Sequence, residues 1–133
     1  VDEEGQVPIQ VVWDNIDKTV IRFEFEGSWT WDDLYQASDE ATAMLDTVPH
    51  MVDFVLDVRN ANQIPRDFMN HAGNIANGQN PKRGLLVVVG ANRLLRTLGG
   101  TLRRLFPQAT KDVKIVGTLE EAYEVISKQH ELR

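Results

Sequence analysis

Arg83-Gly-Leu-Leu-Val-Val-Val-Gly90 is the run on which the fold turns. Five consecutive apolar residues leave no polar face for water. In a run this short, that pattern belongs to a strand covered on both sides, as at the centre of a parallel sheet. Downstream, Asn92 is placed to cap a helix whose Leu94, Leu95, Leu98, Leu102 and Leu105 or Phe106 recur at helical spacing until Pro107 stops it. Gly99-Gly100 interrupts that helix at about 1 kcal/mol per residue relative to Ala, which marks a kink, a close helix contact or a boundary between shorter helices. Asp112–Val116 reads as the last strand, and Thr118-Leu-Glu-Glu121 as a capping box opening a helix to about Lys128.

Upstream, Met51–Val58 alternates Val52, Phe54, Leu56 and Val58 on one side with Met51, Asp53, Val55 and Asp57 on the other, the wetter side. Arg59-Asn-Ala-Asn-Gln63 reads as a loop. Pro65 suits the first turn of a helix carrying Phe68, Ala72 and Ile75 and ending at the breaker Gly78-Gln-Asn-Pro81. Further back, Ile9–Asp14 and Lys18–Gly27 form a hairpin, with Ile21, Phe23 and Phe25 facing the core. Thr30 caps a helix to about Thr47 with the apolar stripe Leu34, Ala37, Ala41, Met44, Leu45 and Val48. Trp29 and Trp31 cannot both point inward from one helix, so one is expected at a boundary or exposed as an interface anchor.

The order ββαβαβαβα contains three β-α-β crossovers. It predicts an α/β fold: a mixed, mostly parallel sheet of five strands with four helices and the first hairpin as an antiparallel edge. A chain of 133 residues suits one domain, assigned to residues 9–133 after a flexible tail at 1–8. Composition, 42% hydrophobic and 26% charged, argues against disorder and coiled coil. The absence of Cys excludes disulfides, thiolate metal sites and thiol catalysis. No apolar stretch approaches the roughly 20 residues of a membrane span, and Val1-Asp-Glu-Glu-Gly5 lacks a signal-peptide pattern. The expectation is a cytoplasmic protein without a transmembrane segment.

Charge is divided along the chain. Residues 1–57 carry fourteen Asp or Glu against Lys18 and Arg22, while residues 82–117 carry eight Lys or Arg against Asp112. Such asymmetry signals an anionic partner or surface, unless the two segments neutralise each other in the fold. A net charge of −6 argues against nucleic acid.

The element order and several local strings resemble the STAS domain, and more closely a diverged STAS-like family similar to the sporulation anti-sigma-factor antagonist. The strings are Phe25-Glu-Gly27, Trp31-Asp-Asp-Leu34, Phe54-Val-Leu-Asp57, Leu86-Val-Val-Val-Gly90, Leu105-Phe-Pro107 and Thr118-Leu-Glu-Glu-Ala122. In the antagonists, a strand ending in Asp leads to a loop whose Ser is phosphorylated. Asp57 matches that Asp. Arg59–Asp67 offers no Ser, Thr or Tyr, so the resemblance implies a binding module without the phosphoswitch. It also implies a protein partner, or an apolar or lipid ligand of the kind that some relatives of the fold take.

Candidate contacts follow from placement. A loop at the C-terminal edge of an open α/β sheet is where ligands bind, so Arg59, Asn60, Asn62 and Arg66 would face an anion or a partner, unless the Asn side chains only close turns. Arg93 and Arg96 share a basic, amphipathic helix face with Arg103. On the alternative reading, Leu94, Leu95, Leu98 and Leu102 line a pocket for a small apolar ligand. His50, His71 and His130 lack metal-ligand spacing. Asp53 and Asp57 stand roughly 13 Å apart along one strand, too far to share a proton. No Gly-x-Ser-x-Gly or phosphate-loop string occurs. No catalytic residue, metal or cofactor is assigned. The expected function is a regulatory or interaction module, with homodimerisation through an exposed edge among its options.

Overall fold

The computed structural model describes residues 7–77 and 80–132. Residues 1–6 of the expected tail and Gly78-Gln79 of the expected helix break lie outside the described residues, as does the side chain of Ile75. The elements run β1 (Ile9–Trp13), β2 (Val20–Gly27), α1 (Trp31–Leu45), β3 (Val52–Ala61), α2 (Phe68–Asn77), β4 (Arg83–Val89), α3 (Arg93–Leu105), β5 (Val113–Val116) and α4 (Leu119–Leu132). The Pro8 carbonyl accepts the Glu26 N–H at 2.8 Å, so β-type pairing begins within the stretch assigned to the tail.

The five strands lie in the order β1-β2-β3-β4-β5, with β1 antiparallel to β2 and every other pair parallel. This is the α/β architecture expected from the element order. Sequential parallel strands joined by crossovers of one hand bring the connecting helices to one face. Side chains of α1, α2 and α3 accordingly stand over the face of Phe23, Phe54 and Leu86. On the opposite face Ala122 and Ile126 of α4 pack with Val20, Val55, Leu85, Val87, Val89 and Val116.

Local chemistry sets the element ends. Thr30 accepts the Asp33 N–H and Asp33 accepts the Thr30 N–H, a complete capping box at α1. Asn92 accepts the Leu95 N–H at 2.9 Å, and Thr118 accepts the Glu121 N–H at 3.1 Å. α3 runs unbroken through Gly99-Gly100, where a Cβ on Gly99 would lie 2.9 Å from the Ile115 Cδ1. The pair is therefore no boundary between two shorter helices, and Gly99 makes a close contact with β5.

Four expectations need correction. Arg59 and Asn60 are strand residues rather than loop, because Asn60 pairs with Glu26 and Ala61 with Gly27 after a register shift. Pro65 does not open α2. Asp67 has φ +65°, which no helix accommodates, so the helix starts at Phe68. α4 continues past Lys128 to Leu132, with His130 on its last turn bonded to Asp53. Finally, the aspartate side of β3 is the dry one: Asp53 and Val55 are fully buried and Asp57 nearly so.

The last reversal has a cause in the ladder. Val52 pairs with Arg83 but Phe54 pairs with Leu86, so β4 carries an extra residue between the two pairings. A bulge leaves a backbone N–H without its ladder partner. Here the Asp53 Oδ1 accepts the Leu85 N–H at 2.8 Å, and its Oδ2 meets the His130 Nε2 at 2.8 Å. A carboxylate with such partners can be buried; one without them could not.

Candidate functional site

The two faces of the central strands are covered very differently. Under α4, Val55, Val87 and Val89 are fully buried and Leu85 is 3% exposed. On the other face Phe54, Leu56, Val58, Leu86, Val88 and Ile115 are all only half-buried. The reason lies in the helices above them. α1 buries Leu34, Ala37, Ala41 and Leu45, but no described side chain of α2 or α3 is buried. These two helices span a hollow instead of filling it.

That hollow is a cavity of about 410 Å³, within the roughly 300–1,000 Å³ usual for small-molecule sites. Its floor is Phe54, Leu56, Leu86, Val88 and Ile115, and its roof includes Phe68 and Ala72 of α2 and Leu95, Gly99 and Leu102 of α3. Polar groups gather toward its ends. Asn80, Arg83 and Thr110 stand where β4 begins, and Arg59, Asn62 and Asn92 where it ends.

One wall is aromatic. Phe25 and Trp29 meet edge to face at 5.2 Å, Trp29 and Trp31 at 5.1 Å, and Trp31 stacks on His71 at 4.7 Å. The His71 Nδ1 lies 2.6 Å from the Tyr35 hydroxyl, and the Trp31 indole N–H donates to the Arg66 carbonyl. These contacts tie α1 to the start of α2. Both tryptophans line the cavity and both are half-buried, because Trp29 precedes the helix and is free of its periodicity.

The residues singled out in the sequence separate in space. Arg59 and Asn62 line the cavity; Asn60 and Arg66 do not. The Arg59 guanidinium is engaged by Asp57, with Nε–Oδ1 at 2.8 Å and Nη2–Oδ2 at 2.7 Å, a two-bond fork. The hydrogen bonds from Arg59 hold the Asp57 carboxyl below the usual carboxylate range, and Asp57 raises Arg59 in return. Gly90, at φ +80°, lies under the Arg59 stem, where any Cβ would overlap the Arg59 Cγ. Asn62 donates to the Ser28 hydroxyl at 3.3 Å, closing the loop end.

On α3, Leu95 and Leu102 line the cavity. Leu98 is half-buried without lining it, and Leu94 is 58% exposed on the outer side. Arg93 and Arg96 are exposed, with the Arg96 Nε donating to the Ala91 carbonyl at 3.3 Å. A second hollow, where α3 meets β5, is lined by Arg96, Arg103 and Lys114. Among the described residues, every ion pair lies outside the basic segment 82–117, joining Arg22 to Asp14 and Glu24, Arg59 to Asp57, and His130 to Asp53.

Among the described residues, no group of three or more His, Asp or Glu is arranged to hold a metal ion, and no helix is long and apolar enough to cross a membrane. Sequence reasoning missed the sheet floor of the cavity and Arg83. The even-numbered apolar positions Phe54 to Val58 and Leu86 to Val88 did carry a signal for one shared face. Arg83 carried none, since alternation places it with Leu85 and only the bulge turns it to the cavity. No family model matches this chain, and none of the curated proteins searched matches it.

Proposed function

We propose that the protein is a non-catalytic binding module that carries or senses a small apolar or lipid-like ligand in the cavity between its sheet and α2–α3. The observation that carries this reading is the half-buried apolar floor on β3 and β4. Leaving such surface in contact with water forfeits about 25 cal/mol per Å², and a bound apolar molecule recovers it. The element order resembling the STAS fold supports a binding module as well.

The non-catalytic part is supported by the bonding of two of the cavity's hydroxyls. Its Thr42 and Thr110 hydroxyls donate to the Ser38 and Phe106 carbonyls, so neither is paired with an imidazole. The His130–Asp53 pair lies on the α4 side of the sheet, away from the cavity.

Native mass spectrometry of protein purified from its own cells is expected to show a retained apolar mass. The neutral fluorophore diphenylhexatriene is expected to bind with saturation. A bare chain together with no saturable probe binding overturns the reading.

A protein partner is the second reading, favoured by α3, where Leu94 and Leu105 are 58% and 59% exposed and Arg93, Arg96 and Arg104 are exposed as well. An acidic partner suits that surface. Arg93→Glu with Arg96→Glu is expected to abolish a partner that co-purifies with the wild type, and unchanged recovery removes this reading.

A further inference from the structure

Three arginines line the apolar cavity: Arg59, Arg83 and Arg103. Their situations differ. Arg59 is neutralised by Asp57. Arg103 is exposed and donates to the Val113 carbonyl at 3.1 Å, so water screens its charge. Arg83 is half-buried and, among the described residues, forms no ion pair. Its one side-chain hydrogen bond there is a long one, from Nε to the Gly84 carbonyl at 3.4 Å. Burial holds its proton affinity below the ordinary value for arginine, while Asp112, acting through space, only partly offsets that.

A cation placed this way is costly unless something answers it. The bulge between the Val52 and Phe54 pairings sets Arg83 opposite Val52, on the face of Phe54 and Leu86. Without the extra residue, Arg83 would share the face of Leu85. From Arg83 the floor of β4 runs past Leu86 and Val88 to Gly90, about 20 Å at the rise of a parallel strand. The cavity is thus an elongated apolar trough with a partly dehydrated positive charge at one end, offset only in part by Asp112.

We infer that the ligand of this cavity is a long-chain monocarboxylate, its carboxylate held by the Arg83 guanidinium and its alkyl chain laid along Leu86 and Val88. The inference rests on the apolar-ligand reading and adds the headgroup. A single guanidinium without an ion-pair partner balances a single negative charge, and its planar fork matches the two oxygens of a carboxylate. In a half-buried site that pairing is stronger than on the surface, because the local dielectric is lower.

Displacement of diphenylhexatriene by hexadecanoate and by hexadecanol, which share the chain and differ in charge, tests the assignment. Wild-type protein is expected to bind hexadecanoate at least tenfold more tightly. Arg83→Met, which keeps the apolar stem, is expected to bring hexadecanoate down to the affinity of hexadecanol while leaving hexadecanol unchanged. Arg83→Gln, with a polar but uncharged end, is expected to give the same loss. Equal wild-type affinity for the two probes overturns the headgroup assignment and leaves the apolar-ligand reading standing, as does a preference that survives in both variants. Failure of wild-type protein to bind either probe overturns both.

Discussion

Asp53 and Asp57 occupy equivalent positions four residues apart on β3, yet their carboxylates are made tolerable in different ways. Asp53 replaces a missing ladder acceptor for Leu85 and engages His130. Asp57 is held by three donors of Arg59, the backbone N–H at 3.2 Å and the two guanidinium nitrogens. Because those bonds depress the Asp57 pKa in the folded state, linkage has a definite sign. The folded protein keeps Asp57 ionised at a pH where the unfolded chain already takes up a proton. The stabilisation is complete above the unfolded carboxyl pKa of about 3.9 and is lost as pH falls through the lower folded value. The urea midpoint of the wild type is therefore expected to drop on acidification below about pH 4. Asp57→Asn is expected to start from a lower midpoint at neutral pH and fall less steeply in acid. Parallel acid limbs for the two proteins would exclude Asp57 as a source of the loss. In the sequence both aspartates marked the wet side of the strand, because alternation counts polarity and cannot see which donors arrive from Leu85, His130 and Arg59.

At the scale of elements, the helix caps and the strand faces were readable, while the fit of helix to sheet was not. Thr30, Asn92 and Thr118 act where their residue types suggested, since a cap is satisfied by N–H groups within the next turn. Gly99-Gly100 was readable only as an anomaly. Its two members turn out to be unlike. Gly99 faces Ile115 at a distance no Cβ would tolerate unchanged, and a Cβ on Gly100 would meet nothing within 4 Å. Gly100→Ala is expected to stabilise the protein by about 0.5–1 kcal/mol through helix propensity. Gly99→Ala is expected to gain less or to destabilise, as the Ile115 side chain must shift. Urea denaturation of the two single variants measures the difference, and equal gains would show that α3 does not press on β5 through Gly99.

At the scale of the whole molecule, the governing feature is a sheet tightly packed under α4 and loosely roofed on the other face. A ligand that fills the cavity binds the folded chain and not the unfolded one, so it raises stability by mass action, about 2.7 kcal/mol at a hundredfold excess over its dissociation constant. Thermal unfolding with saturating hexadecanol is expected to show a higher midpoint for the wild type. Val88→Phe, which places a ring in the cavity from its floor, is expected to fold and to lose that shift. An identical ligand-induced shift in Val88→Phe would place the binding site elsewhere.

By itself, the sequence determined the order of elements, the interior position of Leu85–Val89, the antiparallel edge and the helix starts at Thr30, Asn92 and Thr118. Each of these is written in periodicity or in a contact within one turn of the chain. Tertiary structure alone decided that the aspartate side of β3 is buried, that α2 and α3 stand off the sheet, and that Arg83 turns to the cavity. Those outcomes depend on one extra residue in the β3–β4 ladder and on how closely helices settle on strands far away in sequence, and neither quantity is expressed in the local alternation of polar and apolar residues.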